Sequence, residues 1–155
     1  MKPATWLALY DIHYPKIHWR TWRCAMSFAR SNKLAGVVLG GDQFENESIS
    51  HHTAGKPALR NKGQFRREEE GFDAGVLKPL EAVTRGAKRV WVIGNHDAWE
   101  KQLVEAQPEL DGALDRPTRL RLEQRGWDVI PLGEAKRVGK LSIIHGDQLR
   151  GGMYH

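Results

Sequence analysis

A single α/β domain is the class that this 155-residue sequence predicts, on three observations. Short apolar runs recur along the chain, and the first three are separated by segments long enough to hold helices. Each of the runs that carries the argument ends abruptly in polar, chemically competent side chains. The length suffices for one domain with a real core and not for two, so residues 1–155 are taken as one unit.

In chain order, "ATWLALY" (4–10) is the first predicted strand. "IHWRTWRCAMSFAR" (17–30) sets Trp19, Trp22, Ala25, Met26 and Ala29 at helical spacing, an apolar stripe read as core rather than as a nucleic-acid platform. "GVVLG" (36–40) is the second strand. The segment from about Glu45 to Gln64 lacks periodicity and is predicted to lie over whatever site the strand ends build. "FRREEEGFDAGVLKPLEAVTR" (65–85) reads as a helix with Phe72, Val76, Leu80 and Val83 on one side, and Pro79 with two glycines predicts a kink. "RVWVIG" (89–94) is the third strand and "DAWEKQLVEAQ" (97–107) a shorter helix. "GWDVIPLGEAKRVGKLSIIHG" (126–146) reads as strands joined by turns at Gly133 and Gly139, with "KLSIIHG" (140–146) as the fourth strand.

The composition, 40% hydrophobic and 28% charged, is that of an ordinary soluble globular protein. Apolar runs such as "WLALY" and "VWVI" are far too short to cross a bilayer, which excludes a membrane role. The N-terminal apolar stretch meets Asp11 without a small-residue cleavage pattern, so no signal peptide is expected. The single cysteine, Cys24, permits no internal disulfide, fits a reducing, cytoplasmic setting, and is expected to pack in a helix rather than react. A net charge of +5 gives a weak attraction for polyanions. The densest basic run, "RNKGQFRR", is followed at once by "EEE", the pattern of a solvated loop entering a helix.

The polar residues sit at the strand ends. "WLALY" runs into Asp11-Ile12-His13, "GVVLG" into Gly41-Asp42, "VWVIG" into Asn95-His96-Asp97, and "LSII" into His145-Gly146-Asp147. In an extended chain residues i and i+2 share a face, so Asp11 and His13 can point to one centre while Ile12 points away. Glycines before Asp42 and Asn95 allow sharp turns and close backbone approach. The carboxyl ends of strands in an α/β sheet meet at one edge, where ligands bind. Each motif alone has an ordinary reading: Asp-x-His as a helix cap, Gly-Gly-Asp as a turn, His145 as a satisfied strand-end histidine. Asn and His together after a buried strand are more specific, because they cost desolvation without partners. The four in this order, each directly after an apolar run, point to a metal site of hard-to-borderline character.

These residues resemble the motifs of the calcineurin-like metallophosphoesterases, in particular small phage-type metallophosphatases. That family's pattern runs D-x-H, G-D-x-x-D/E, G-N-H-E/D, a lone His and G-H-x-H. The first four have counterparts in "DIH", "GDQFE", "GNHD" and "HGD". The resemblance implies an α/β/β/α sandwich with two divalent metal ions at the sheet edge, Mn²⁺ first, with Fe, Zn²⁺ or Ni²⁺ as alternatives. It places Asp11 and His13 on one ion, Asp42 between the two, and Asn95 and His145 on the other. Mixed oxygen and nitrogen ligation without thiolate suits such ions. Two of them polarise a phosphoryl oxygen and generate a hydroxide that attacks phosphorus in line. His96 would then protonate the leaving alkoxide, and Asp97 would orient His96 or stabilise its protonated form. The common family residue at Asp97 is Glu, so the shorter side chain alters that last role.

The closing G-H-x-H has no counterpart in "HGDQLRGGMYH". Two explanations compete: a truncated form that ends before a last strand pair, which is preferred, or His155 folding back as a substitute ligand, with Asp147 and a neighbouring chain as further sources. The expected consequence is weakened metal occupancy and low activity. The leading expectation is thus metal-dependent hydrolysis of a phosphomonoester or phosphodiester. The alternative is a catalytically impaired member that binds nucleic acid or another partner. Substrate choice is expected in the segment 46–67, where His51, His52, Lys56 and Arg60 each read individually as solvated surface.

Overall fold

The computed structural model describes residues 4–53, 56 and 63–146. Strands β1 (Trp6–Leu9), β2 (Gly36–Leu39) and β3 (Lys88–Val92) form where the first three apolar runs predict them. With β4 (Trp127–Ile130) they make a four-stranded, all-parallel sheet in the order β1-β2-β3-β4. Leu9, Leu39, Trp91 and Val129 lie in one cross-strand row, so the chain leaves neighbouring strands at the same sheet edge. All four residues of β2 are buried, as a strand covered on both faces requires.

The period-two alternation sorts the sheet into two apolar faces. On one, Leu7, Leu9, Val37, Leu39, Trp91 and Trp127 pack against helices. The other face carries Val38, Val90, Val92 and Ile130, with Trp6 and Ile143 against them. Helix α1 (Trp19–Ser31) buries Trp22, Met26 and Ala29 of its predicted stripe, while Trp19 is 42% exposed at the stripe's margin. Cys24 lies exposed on this helix, contrary to the expectation that it packs.

The second predicted helix is continuous in path. α2 (Gln64–Phe72) runs through a π-helical turn (Asp73–Leu77) into α3 (Lys78–Val83). A widened turn just ahead of Pro79 accommodates the missing N–H and the ring that an ideal α-helix would reject. The extra residue in that turn also rotates the buried face, so Leu77 joins Phe72, Val76 and Leu80 in the core.

The fourth strand differs from expectation. The run 140–146 does not join the parallel sheet; β6 (Leu141–Ile143) pairs antiparallel with β5 (Lys136–Val138) in a separate hairpin over the second face. A cavity of about 1190 Å³, lined in part by Trp6, Ala8, Val38 and Val90, separates that hairpin from the sheet. The place beside β3 belongs to β4, which long-range polar contacts hold. Trp127 Nε1 donates to Glu81 Oε1 at 2.7 Å, and Arg125 bonds both Glu81 and Asp73. Between β3 and β4 lie α4 (Trp99–Ala106) and the short α5 (Arg116–Arg119). Among the described residues no helix is long and apolar enough to cross a membrane.

Phe72 has no exposed surface and meets Phe44, Trp91 and Tyr14 through ring contacts. Phe72→Ala is expected to cost about 3–5 kcal/mol in urea unfolding, the range for emptying a buried aromatic site; a loss under about 1 kcal/mol would show that this helix is not part of the core.

Candidate metal centre

Beyond their last paired residues, the chains leaving β1 and β2 stay side by side. Gly40 N–H donates to Leu9 O at 2.7 Å, Asp11 N–H to Gly41 O at 3.1 Å, His13 N–H to Asp42 O at 3.0 Å and Tyr14 N–H to Gln43 O at 2.9 Å. This continued pairing carries Asp11 and His13 alongside Asp42. Asp11, His13 and Asp42 adopt φ of 53°, 47° and 52°, in the left-handed region. Each costs of order 1–3 kcal/mol for a non-glycine residue, and such strain gathers at functional sites. Extended i, i+2 geometry is therefore not what brings Asp11 and His13 to one place; the twisted loop is.

The turn after β3 presses directly on Asp42. His96 N–H donates to Asp42 Oδ1 at 2.8 Å. A Cβ on Gly94 would land on the backbone nitrogen and carboxylate of Asp42, so only glycine permits this approach. The Asp97 carboxylate accepts from the N–H groups of Gly94 (3.0 Å), Phe44 (3.3 Å) and Gln43 (3.4 Å). It clamps the two exit turns together and, among the described contacts, makes none with the His96 ring, so the expected orienting role does not match its placement. Burial pushes the Asp97 carboxyl up to about 6 with help from the Asp42 charge, against the pull of those three N–H groups.

His145 reaches the same edge from the exit of β6 rather than from the parallel sheet. Its Nδ1 lies 3.1 Å from Gly40 O, which can only accept and so directs a proton to Nδ1, turning Nε2 toward the sheet edge. Nε2 stands 3.0 Å from Asn95 Oδ1 and 3.4 Å from Asp42 Oδ2. Two donors each about 2.1 Å from one cation and at right angles lie about 3.0 Å apart, so the Asn95–His145 spacing suits adjacent coordination positions.

Two triads of donor atoms converge: His13, Asp42 and His96, and Asp11, Asp42 and His145, with the atoms of each triad within 4.8 Å of one another. Asp42 belongs to both, the position of a shared carboxylate. The grouping differs from the one the resemblance implies, since His13 stands with His96 while Asp11 stands with His145. The donor set fits a cation. His13 Nδ1 is buried without a hydrogen bond, although Glu45 Oε2 lies 3.1 Å away. His96 Nδ1 is directed to Glu45 O at 2.9 Å, which leaves Nε2 as the ring nitrogen it can offer a cation. Asp147 and His155 lie outside the described residues.

Asn46 and Arg116 escape a reading of motifs alone, and Glu45, the last residue of "GDQFE", gains its contacts only from the fold. Glu45 touches both His13 and His96 and also pairs with Lys16 at 3.0 Å. Asn46, fully buried at φ 56°, donates from Nδ2 to His96 O at 2.9 Å and accepts from Arg116. The Arg116 guanidinium lies between the Phe44 and Phe65 rings, 3.8 Å from each, and pairs with Glu100 at 3.0 Å and Glu68 at 3.3 Å. One guanidinium thus faces two buried carboxylates beneath the His96 turn. For Asn46 the local signal is its place directly after the "GDQFE" motif. No family model, curated protein or solved structure matches the chain.

Gly94→Ala should destabilise the fold by about 2–3 kcal/mol through overpacking on Asp42 and weaken divalent-cation uptake with it; calorimetry and urea unfolding that both match the parent would contradict the close approach. A pH effect follows from Glu100, whose carboxyl burial pushes up to about 8 from 4.5 against the attraction of Arg116. Between those values the folded chain keeps a proton that the unfolded chain has released. The associated stability is present below 4.5 and is lost as pH rises toward 8. The parent's urea midpoint should therefore fall from about pH 5 to about pH 8.5 more steeply than that of Glu100→Gln; equal slopes would show that Glu100 does not titrate in this window.

Proposed function

We propose that this chain is a metal-dependent phosphoesterase, with its sheet edge as the active site of an α/β/β/α metallophosphoesterase-type domain. The observation that carries the reading is the convergence of two donor triads on the buried Asp42 carboxylate. A carboxylate shared by two cations offsets their mutual repulsion, and imidazole with carboxylate and amide oxygen favours Mn²⁺, with Fe, Zn²⁺ or Ni²⁺ as alternatives. When bound, such ions supply Lewis acidity toward phosphoryl oxygens and lower the pKa of water.

The residues do the remaining work. Asp42, His13, Asp11, His145 and Asn95 would hold the cations, and the tie from His145 Nδ1 to Gly40 O would set the tautomer that binds. His96 keeps Nδ1 on Glu45 O and so presents Nε2 to the centre, where a proton can pass to the leaving oxygen. Asn46, through His96 O, and Asp97, through three N–H groups, hold the turn that aims that ring. Proton donation by His96 competes with its serving as a ligand, because it also belongs to a donor triad.

Asp42→Asn removes the shared negative charge while keeping shape. Turnover of p-nitrophenyl phosphate with added Mn²⁺ should fall at least about a hundredfold, beyond the loss typical of a supporting residue. EDTA should abolish the parent's activity and Mn²⁺ restore it. Turnover that persists in Asp42→Asn at unchanged circular dichroism would sink the reading.

A further inference from the structure

The segment 46–53 brings aromatic side chains to the outer side of His96, and the proposed hydrolysis makes no use of them. His13 meets His96 edge-on at 4.8 Å between ring centroids, and His96 stacks on Trp99 at 4.1 Å. Trp99 in turn meets His51 and His52, each at 5.8 Å, and those two rings lie 3.8 Å apart. The rings therefore form a continuous row that starts among the cation donors and ends at two exposed histidines.

This row is held in place. His51 and His52 open a 3₁₀ turn that Ser50 and Thr53 tie down: His52 N–H donates to Ser50 Oγ at 3.1 Å and Thr53 Oγ1 to Glu47 O at 2.8 Å. The start of the segment is anchored at the buried Asn46, which bonds Arg116 and His96 O. Two imidazoles are thus positioned at solvent beside a half-buried indole, where rings exposed to water would otherwise gain nothing from order.

We propose that Trp99, His51 and His52 form a leaving-group subsite that selects phosphate esters of planar aromatic groups, nucleosides or aryl alcohols. The inference rests on the phosphoesterase reading, because it takes His96 to mark the side from which the leaving oxygen departs. On that side lie the Trp99, His51 and His52 rings, with both imidazoles exposed. A planar group stacks on them, and a saturated group of equal size gains less.

The test uses pairs of esters with matched leaving oxygens and the full chain loaded with Mn²⁺. Adenosine 5′-monophosphate is compared with ribose 5-phosphate, and benzyl phosphate with cyclohexylmethyl phosphate. The aromatic member of at least one pair should be preferred about five- to a hundredfold in kcat/KM, the size of stacking on aromatic side chains. The first pair alone responding identifies nucleosides as the class, and the second alone identifies smaller aryl groups. His51→Ala/His52→Ala should bring that ratio toward one, and His51→Phe/His52→Phe should restore it, since the rings rather than their nitrogens carry the effect. These positions are exposed, so the variants keep the fold. Ratios near one in an active parent, or a ratio that survives the alanine pair, overturn the subsite alone. An absence of turnover on all four esters despite bound Mn²⁺ overturns the phosphoesterase reading and the subsite with it.

Discussion

The close approach of the β3 exit turn to Asp42 sets the position of almost every donor at the sheet edge. Gly94 makes it possible by presenting no Cβ to Asp42. His96 N–H and the Asp97 clamp then lock the contact with three hydrogen bonds between adjacent strand exits, and a fourth, from Gly94 N–H to Asp97, closes the β3 exit turn on itself. Because parallel strands deliver their exits to a common edge, a single tight contact of this kind orients Asn95 toward His145 on one side and His96 toward His13 on the other. The Asp42 side chain is consequently buried and already hydrogen-bonded through Oδ1, with Oδ2 left toward both histidines, His145 at 3.4 Å and His13 at 3.9 Å.

Holding that arrangement is costly. Asp11, His13, Asp42 and Asn46 all sit in the left-handed region, and each such residue costs of order 1–3 kcal/mol. Around them are buried carboxylates and a buried imidazole nitrogen that faces the Glu45 carboxylate without a hydrogen bond. A sheet edge evolved only for stability would not gather strain and uncompensated polarity in one place. Cation binding at the donor triads would relieve both, because a positive charge offsets the repulsion between Asp42 and its acidic neighbours.

Beneath the turn, the buried Arg116 connects the site to the body of the domain. It joins Glu68 on α2, Glu100 on α4 and Asn46 on the loop, flanked by two phenyl rings. A buried polar network is weak evidence for net stability, but removing its acceptors leaves the Arg116 charge uncompensated, so it enforces one geometry. Through Asn46 that geometry reaches His96, and through the same loop it reaches His51 and His52. The site and its outer aromatic row therefore share one support.

The sequence by itself determined three parallel strands, the helices between them and the candidate donors Asp11, His13, Asp42, Asn95, His96 and His145. Such features are written locally, in apolar runs, in glycines and in the polar residues that follow them. Only the tertiary structure decided that 127–130 rather than 140–146 completes the sheet, because strand pairing depends on contacts such as Trp127 with Glu81 that lie far apart in the chain. It also decided that Asp97 clamps backbone instead of aiming His96, that His13 stands with His96, and that Glu45, Asn46 and Arg116 support the centre. Those roles depend on where a side chain points after the turns have folded against each other, and residue order carries no record of that direction.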